Sequence, residues 1–164
     1  MIPESYHADS DALPWAECWA DDPGIRLKLL MADVEGGRFA VRMGFSPGTQ
    51  VFPHKHTGEV HAITRAGRWS YLEYPGSPDN VAGSYLFEPP GSTHTLKVAD
   101  DAGEETDVLF VIYGALIHLD PAGNLVAITD AASVIEEYGR RLRQQGSLLP
   151  PGLPIGGAMA YRPV

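Results

Sequence analysis

The chain has 164 residues, 44% apolar and 20% charged, a balance that suits one folded domain and excludes a disordered chain. Eighteen glycines and 14 prolines exclude a helical bundle and favour many short strands. A net charge of −9, from 21 acidic and 12 basic residues, sets the chain against nucleic acid and anionic membrane surfaces.

Residues 1–24 read as an N-terminal arm. They carry Pro3, Pro14 and Pro23, and Trp15 and Trp19 are the expected anchors on the domain surface. The start lacks a basic residue followed by an apolar stretch, so no secretory signal is expected. The single cysteine, Cys18, has no partner for an internal disulfide, and a cytoplasmic location is expected. No run of about 18 apolar residues is present, so no transmembrane helix is expected.

The domain is expected over 25–145. Ile25–Met31 and Arg38–Met43 alternate in strand fashion, separated by Gly36-Gly37, with Phe39, Val41 and Met43 on one side. After Ser46-Pro47-Gly48, strands are expected near 50–54, 59–66, 68–74, 83–88, 93–98, 106–113, 114–119 and 125–128. That roughly 8–12-residue rhythm is a sandwich or barrel signature. A helix is expected at about 131–145. Asp130 is its N-cap, Val134, Ile135, Tyr138 and Leu142 form its apolar stripe, and Gly146 ends it. Arg140, Arg141 and Arg143 read as its solvated end. The Pro/Gly-rich tail, 146–164, reads as irregular or lying on a neighbour. Tyr85, Phe87 and Phe110 are core candidates.

Six histidines are present: His7, His54, His56, His61, His94 and His118. In a strand, residues i and i+2 share a face, so His54 and His56 aim two imidazoles at one point. His94 follows a Pro89-Pro90-Gly91 turn and brings a third imidazole from a distant hairpin. Such a facial set suits Fe, Zn, Cu or Ni. His118 lies in an apolar strand and reads as structural, and His7 reads as surface.

These residues fall into a known register. Gly48, His54, His56 and Gly67 match the spacing of the first cupin motif, and Gly83, Pro89, Gly91 and His94 match the second. The chain therefore resembles the cupin superfamily, which implies an all-β, double-sheet jelly-roll barrel with one C-terminal helix. Two positions depart from the pattern. The motif glutamate, after three intervening residues, falls at Val60, and the asparagine after His94 falls at Val98. Glu59 and His61 flank the vacant slot with opposite strand parity. His61 becomes a fourth ligand only if the strand runs one residue out of register; otherwise it borders the substrate pocket with Trp69 and Tyr71, or packs elsewhere.

The three-histidine variant resembles the cupin iron dioxygenases that cleave carbon–carbon bonds. The stretches Gly58–Glu73 and Ala82–Leu96 are similar to the 2,4'-dihydroxyacetophenone dioxygenase family. The resemblance implies Fe(II) on His54, His56 and His94, with Zn, Ni or Mn as alternative ions. It implies an aromatic hydroxyketone or a diketone, with O2, as substrates. Three neutral imidazoles leave a divalent ion its full charge, which favours an anionic chelating substrate. Glu88, six residues before His94, either takes a substrate proton, orients a ligand histidine, or is a rim carboxylate in a salt bridge. Trp69 and Tyr71 line an aromatic slot, or else pack internally. The competing classes are a Zn or Mn isomerase, lyase or hydrolase, and a zinc-bearing sensor like the cupin domains of anti-sigma factors, which need a second helical domain to hold a partner. A homodimer or homotetramer is expected.

Overall fold

A computed structural model describes residues 5–156, and these form thirteen short strands, one α-helix and a single 3-10 turn at Trp19–Asp21. The strands are β1 (Ile25–Asp33), β2 (Arg38–Phe45), β3 (His54–His56), β4 (Val60–Ala66), β5 (Arg68–Tyr71), β6 (Asn80–Val81) and β7 (Tyr85–Glu88). They continue as β8 (Thr93–His94), β9 (Leu96–Val98), β10 (Thr106–Tyr113), β11 (Leu116–Leu119), β12 (Leu125–Thr129) and, after helix α1 (Ala131–Gln144), β13 (Ile155–Gly156). No helix among the described residues is long and apolar enough to cross a membrane.

A six-stranded sheet, in the order β13-β1-β2-β10-β4-β7, forms one wall. A four-stranded sheet, β12-β11-β3-β8, and a three-stranded one, β6-β5-β9, form the other. Thr95 is the break between β8 and β9, where these two smaller sheets meet. Leu29, Phe39, Val41, Val60, Trp69, Val98 and Val108 fill the space between the walls. Each such side chain contributes ~1.5–3 kcal/mol when fully buried. The fold is an all-β, double-sheet barrel with one C-terminal helix, as expected from the motifs.

The β4–β5 turn needs its glycine. Gly67 has φ +77°, and a Cβ there would meet the Thr106 backbone at 2.5 Å. Helix α1 begins with a reciprocal capping box between Asp130 and Ser133, and its apolar stripe packs on β1. Arg141, read from sequence as part of a solvated end, is instead buried. It donates to the Cys18 carbonyl and, at 2.7 Å, to Asp21, so it ties the helix to the arm.

Residues of the arm run along β1. Ala16 pairs with Leu27, and Lys28 donates to the Ser10 and Asp11 carbonyls. The Trp15 ring lies beneath Arg26 and Lys28, at 4.2 and 4.5 Å. The Tyr138 hydroxyl donates to the Pro14 carbonyl at 2.7 Å. From the tail, Ile155–Gly156 pairs in parallel with the far end of β1; residues 157–164 lie outside the described part.

Candidate metal centre

Strand β3 is three residues long, and its alternation buries His54 and His56 while exposing Lys55. It pairs antiparallel with β8, which places His94 directly opposite His54. The three rings are 6%, 2% and 1% exposed, and one ligand atom from each lies within 4.8 Å of the others. The nearest pair is His56 Nε2 and His94 Nε2, 3.0 Å apart.

The environment fixes these rings. His54 Nδ1 contacts the Phe52 carbonyl at 3.1 Å; with that nitrogen as the N–H donor, Nε2 keeps its lone pair. Burial, followed by the nearby His56, pushes the His54 imidazolium down to about 3. His54 is therefore a neutral base at ordinary pH. Tyr71 stacks on His94 with ring centres 3.8 Å apart and planes at 20°. Glu73 accepts from both the Thr95 amide and its hydroxyl at 2.7 Å, which pins the chain just after His94.

Glu88 is the fourth group at the centre. Strand β7 pairs with β4 so that Glu88 faces Val60, the slot where the motif glutamate is missing. Residues opposite each other on a ladder share a face, so Glu88 enters the barrel from the neighbouring strand. Its Oε2 lies 2.8 Å from His56 Nε2 and 3.1 Å from His94 Nε2. Its Oε1 accepts from the Tyr71 hydroxyl at 2.6 Å. Burial alone would raise this carboxyl. Hydrogen bonds from His56 and His94 outweigh burial and hold it at about 2. Glu88 is thus a buried anion, not a rim carboxylate. Tyr71 moves the other way: burial, then the Glu88 charge, keeps its hydroxyl protonated.

Three imidazole nitrogens converge, with no lysine or arginine among them in the described residues, and form a donor set that fits a divalent first-row metal; Glu88 Oε2 lies beside two of them. Glu88 Oε2 is buried and faces the site-directed nitrogens of His56 and His94, which agrees with groups arranged for a cation. Glu88 also changes the charge expected from the histidines alone. A buried negative charge sits beside the imidazoles, so the centre offers a divalent ion partial neutralisation.

A cleft of about 400 Å³ leads to Glu88, His94 and Tyr71, with Tyr74, Leu86 and Ser92 at its walls. Two of the sequence candidates lie elsewhere. Trp69 is 1% exposed, donates to Thr64 Oγ1 at 2.9 Å and packs on Phe110 in the core; it does not line the cleft. His61 sits on the outer face of β4, because its parity is opposite to that of Val60 and Ala62. There Nδ1 contacts the Tyr85 hydroxyl at 2.8 Å and Nε2 approaches Glu59 at 3.4 Å, so His61 is neither ligand nor pocket residue. Tyr85 and Phe87, core candidates by sequence, are 61% and 46% exposed on the same outer side. His118 pairs with His54 across β3 and β11 and contacts Thr129 Oγ1 at 2.9 Å. Ser92 lines the cleft with no motif to mark it; its only sequence signal is its i, i+2 relation to His94.

A family model described as the ChrR cupin-like domain matches residues 3–117. A Ralstonia eutropha JMP134 protein of unknown function with a cupin-like fold is 30% identical, with a TM-score of 0.85, covering 100% of this chain and 98% of its own. An RmlC-like cupin protein of the same organism is 23% identical over 92% of this chain and 94% of its own, with a TM-score of 0.82. An acetylacetone dioxygenase from Acinetobacter johnsonii shares the fold at 22% identity and a TM-score of 0.72, over 84% of this chain and 93% of its own. No curated protein matches the chain. The match over most of the chain, with the three-histidine cluster inside the barrel, makes this protein a member of the cupin family, of the ChrR cupin-like domain type.

Proposed function

We propose that this cupin is an Fe(II)-dependent dioxygenase that cleaves a carbon–carbon bond of a hydroxyketone or diketone with O2. The observation that carries this reading is the meeting of three buried imidazoles with the Glu88 carboxylate at the end of an open cleft. The likeness of the fold to an acetylacetone dioxygenase supports it. His54, His56 and His94 would hold the ion. An iron ion so held supplies Lewis acidity toward a chelating ketone and a site for dioxygen. The chain's own residues do the rest. Glu88 is an ionised acceptor placed to take the acidic proton of the ketone through Oε2, while Oε1 keeps the Tyr71 hydroxyl. Tyr71 holds His94 in plane by stacking. Tyr71, Tyr74 and Leu86 give the cleft an apolar wall that suits an aryl or alkyl ketone. The substrate supplies all the electrons, so no further redox cofactor is needed.

The ChrR-type family match favours a second reading, a metal-bearing cupin without oxygenase chemistry. Oxygen uptake by Fe(II)-reconstituted protein separates the two. Stoichiometric uptake with 2,4'-dihydroxyacetophenone or acetylacetone, abolished by His94→Ala, is the expected result. No uptake with either compound from iron-loaded protein overturns the dioxygenase reading and leaves the metal site standing. The assembly is proposed to be a homodimer or homotetramer, supported by the exposed Ile63, Tyr85 and Phe87 on the outer side of β4 and β7; light scattering checks it.

A further inference from the structure

The β3–β8 ladder has four inward corners at the site. His54 faces His94, and the same register continued by one step places Ser92 opposite His56. The backbone closes that corner: the His56 amide donates to the Ser92 carbonyl at 3.0 Å, and the Gly91 amide donates to the His56 carbonyl at 2.8 Å. Cross-strand partners share a face, with Cβ atoms ~4.5–5.5 Å apart. Three corners therefore carry imidazoles, and the fourth carries a hydroxyl.

That hydroxyl is unusual in its surroundings. Ser92 Oγ is buried and has no hydrogen-bond partner among the described residues. Other hydroxyls nearby are engaged: Thr95 on Glu73, Thr64 by Trp69, and Thr57 by the Ala115 amide. Ser92 lines the same cleft as Glu88 and His94. Its backbone is set in place by Pro89 and Pro90, by Gly91 at φ +86°, and by a Ser92 amide bond to the Pro89 carbonyl at 3.2 Å. A donor held rigidly with its bond unmade is a costly arrangement, and an acceptor atom arriving in the cleft removes that cost.

We propose that Ser92 is a small-molecule-binding residue of this site: its hydroxyl donates a hydrogen bond to an anionic acceptor atom of a ligand seated against His56 and His94. The inference rests on the proposed function for the presence of a metal at the histidines, and not for the reaction. It makes the site selective for small molecules that present an anionic oxygen or nitrogen beside the metal, such as an enolate.

The test uses Co(II)-loaded full-length protein titrated with azide and followed by the visible cobalt spectrum. Ser92→Ala should weaken azide binding about five- to tenfold, the loss of one hydrogen bond to a charged acceptor, with Co(II) affinity unchanged within about twofold. Ser92→Thr keeps the hydroxyl and should bind azide like the parent. Ser92→Val has the shape of threonine without the hydroxyl and should behave like Ser92→Ala. Equal azide affinity in the parent, Ala and Val proteins overturns the inference. So does an equal loss in Thr and Val, which marks a packing effect, or a loss of Co(II) affinity in Ser92→Ala, which marks a structural one. A parent protein whose cobalt spectrum ignores azide also overturns it. Azide binding that follows the hydroxyl, in a protein that consumes no O2 with either ketone, upholds Ser92 and overturns the dioxygenase reading alone. Failure to take up Co(II) overturns both.

Discussion

Removing the charge of Glu88 while keeping its shape is the sharpest perturbation of this centre. Glu88→Gln retains an acceptor for the Tyr71 hydroxyl, which now bonds Oε1 at 2.6 Å. It removes the negative charge that lies 2.8 and 3.1 Å from the two facing imidazole nitrogens. A carboxylate at roughly 4 Å from a divalent ion gains about 8 kcal/mol of attraction at an effective dielectric near 20. Most of that is offset, because a carboxylate buried to this degree costs several kcal/mol to desolvate. Partners that touch metal-binding histidines are commonly worth a factor of about 10–100 in affinity, or ~1.4–3 kcal/mol. Glu88→Gln should therefore raise the Kd for Zn(II) or Fe(II) by about 10- to 100-fold. Competition with a chromophoric chelator measures this directly. A Kd within about twofold of the parent value would refute the argument, since it would mean that the Glu88 charge does not reach the ion.

Four further outcomes follow from the same geometry. His61→Ala should leave metal affinity within about twofold, because the ring lies on the outer face with Tyr85; a chelator competition showing a tenfold loss contradicts that placement. Trp69→Phe should cost about 1–3 kcal/mol in urea unfolding, because it leaves the buried Thr64 hydroxyl unpartnered and a void beside Phe110, while metal affinity holds. Metal-free protein should lose stability as pH falls: above 6.5 His54 is neutral in both states, and from 6.5 down to about 3 the unfolded chain binds a proton that the native site refuses, with Glu88 adding to the loss between 4.5 and about 2. The slope contributed by His54 is about 1.4 kcal/mol per pH unit, and urea midpoints that stay flat between pH 7 and 5 would contradict it. Glu88→Val should weaken metal binding, and adding Val60→Glu should restore part of it, because the two positions face each other; a double variant no better than the single one sinks that register argument.

The parts of this site legible in the sequence were those set by local periodicity. His-x-His on a strand places two imidazoles on one face whatever the rest of the chain does, and the Pro-x-Gly turn before His94 fixes where the third begins. Strand alternation likewise assigns Trp69 and Tyr71 to a common face. It does not decide which of them borders the cleft and which the core, because that depends on how far along β5 the opposing wall extends. Tyr71 stacks on His94, whereas Trp69, two residues earlier, is sealed against Phe110. The same holds for Arg141, whose charge pattern reads as a solvated helix end until the arm crosses it and offers the Cys18 carbonyl. Tyr85 and Phe87 read as core by hydropathy, yet β7 is an edge strand and Leu86 and Glu88 take its inward positions.

Glu88 shows why register outweighs motif in setting the charge of such a centre. A sequence with valine at the motif glutamate position reads as a three-histidine site of undiminished metal charge. The antiparallel pairing of β4 with β7 brings a carboxylate to that very position from 28 residues further along the chain, facing Val60. One residue of slip between these strands would turn Glu88 outward and Phe87 inward, because side chains alternate with period two. The buried Val60 and Ala62 hold β4 in place against β10, and the β4–β7 pairs from Val60–Glu88 to Ile63–Tyr85 carry that placement to the edge strand. The electrostatics of the metal centre are therefore fixed by apolar packing on a neighbouring strand, and a core substitution that lets β7 shift would alter metal affinity without touching any histidine.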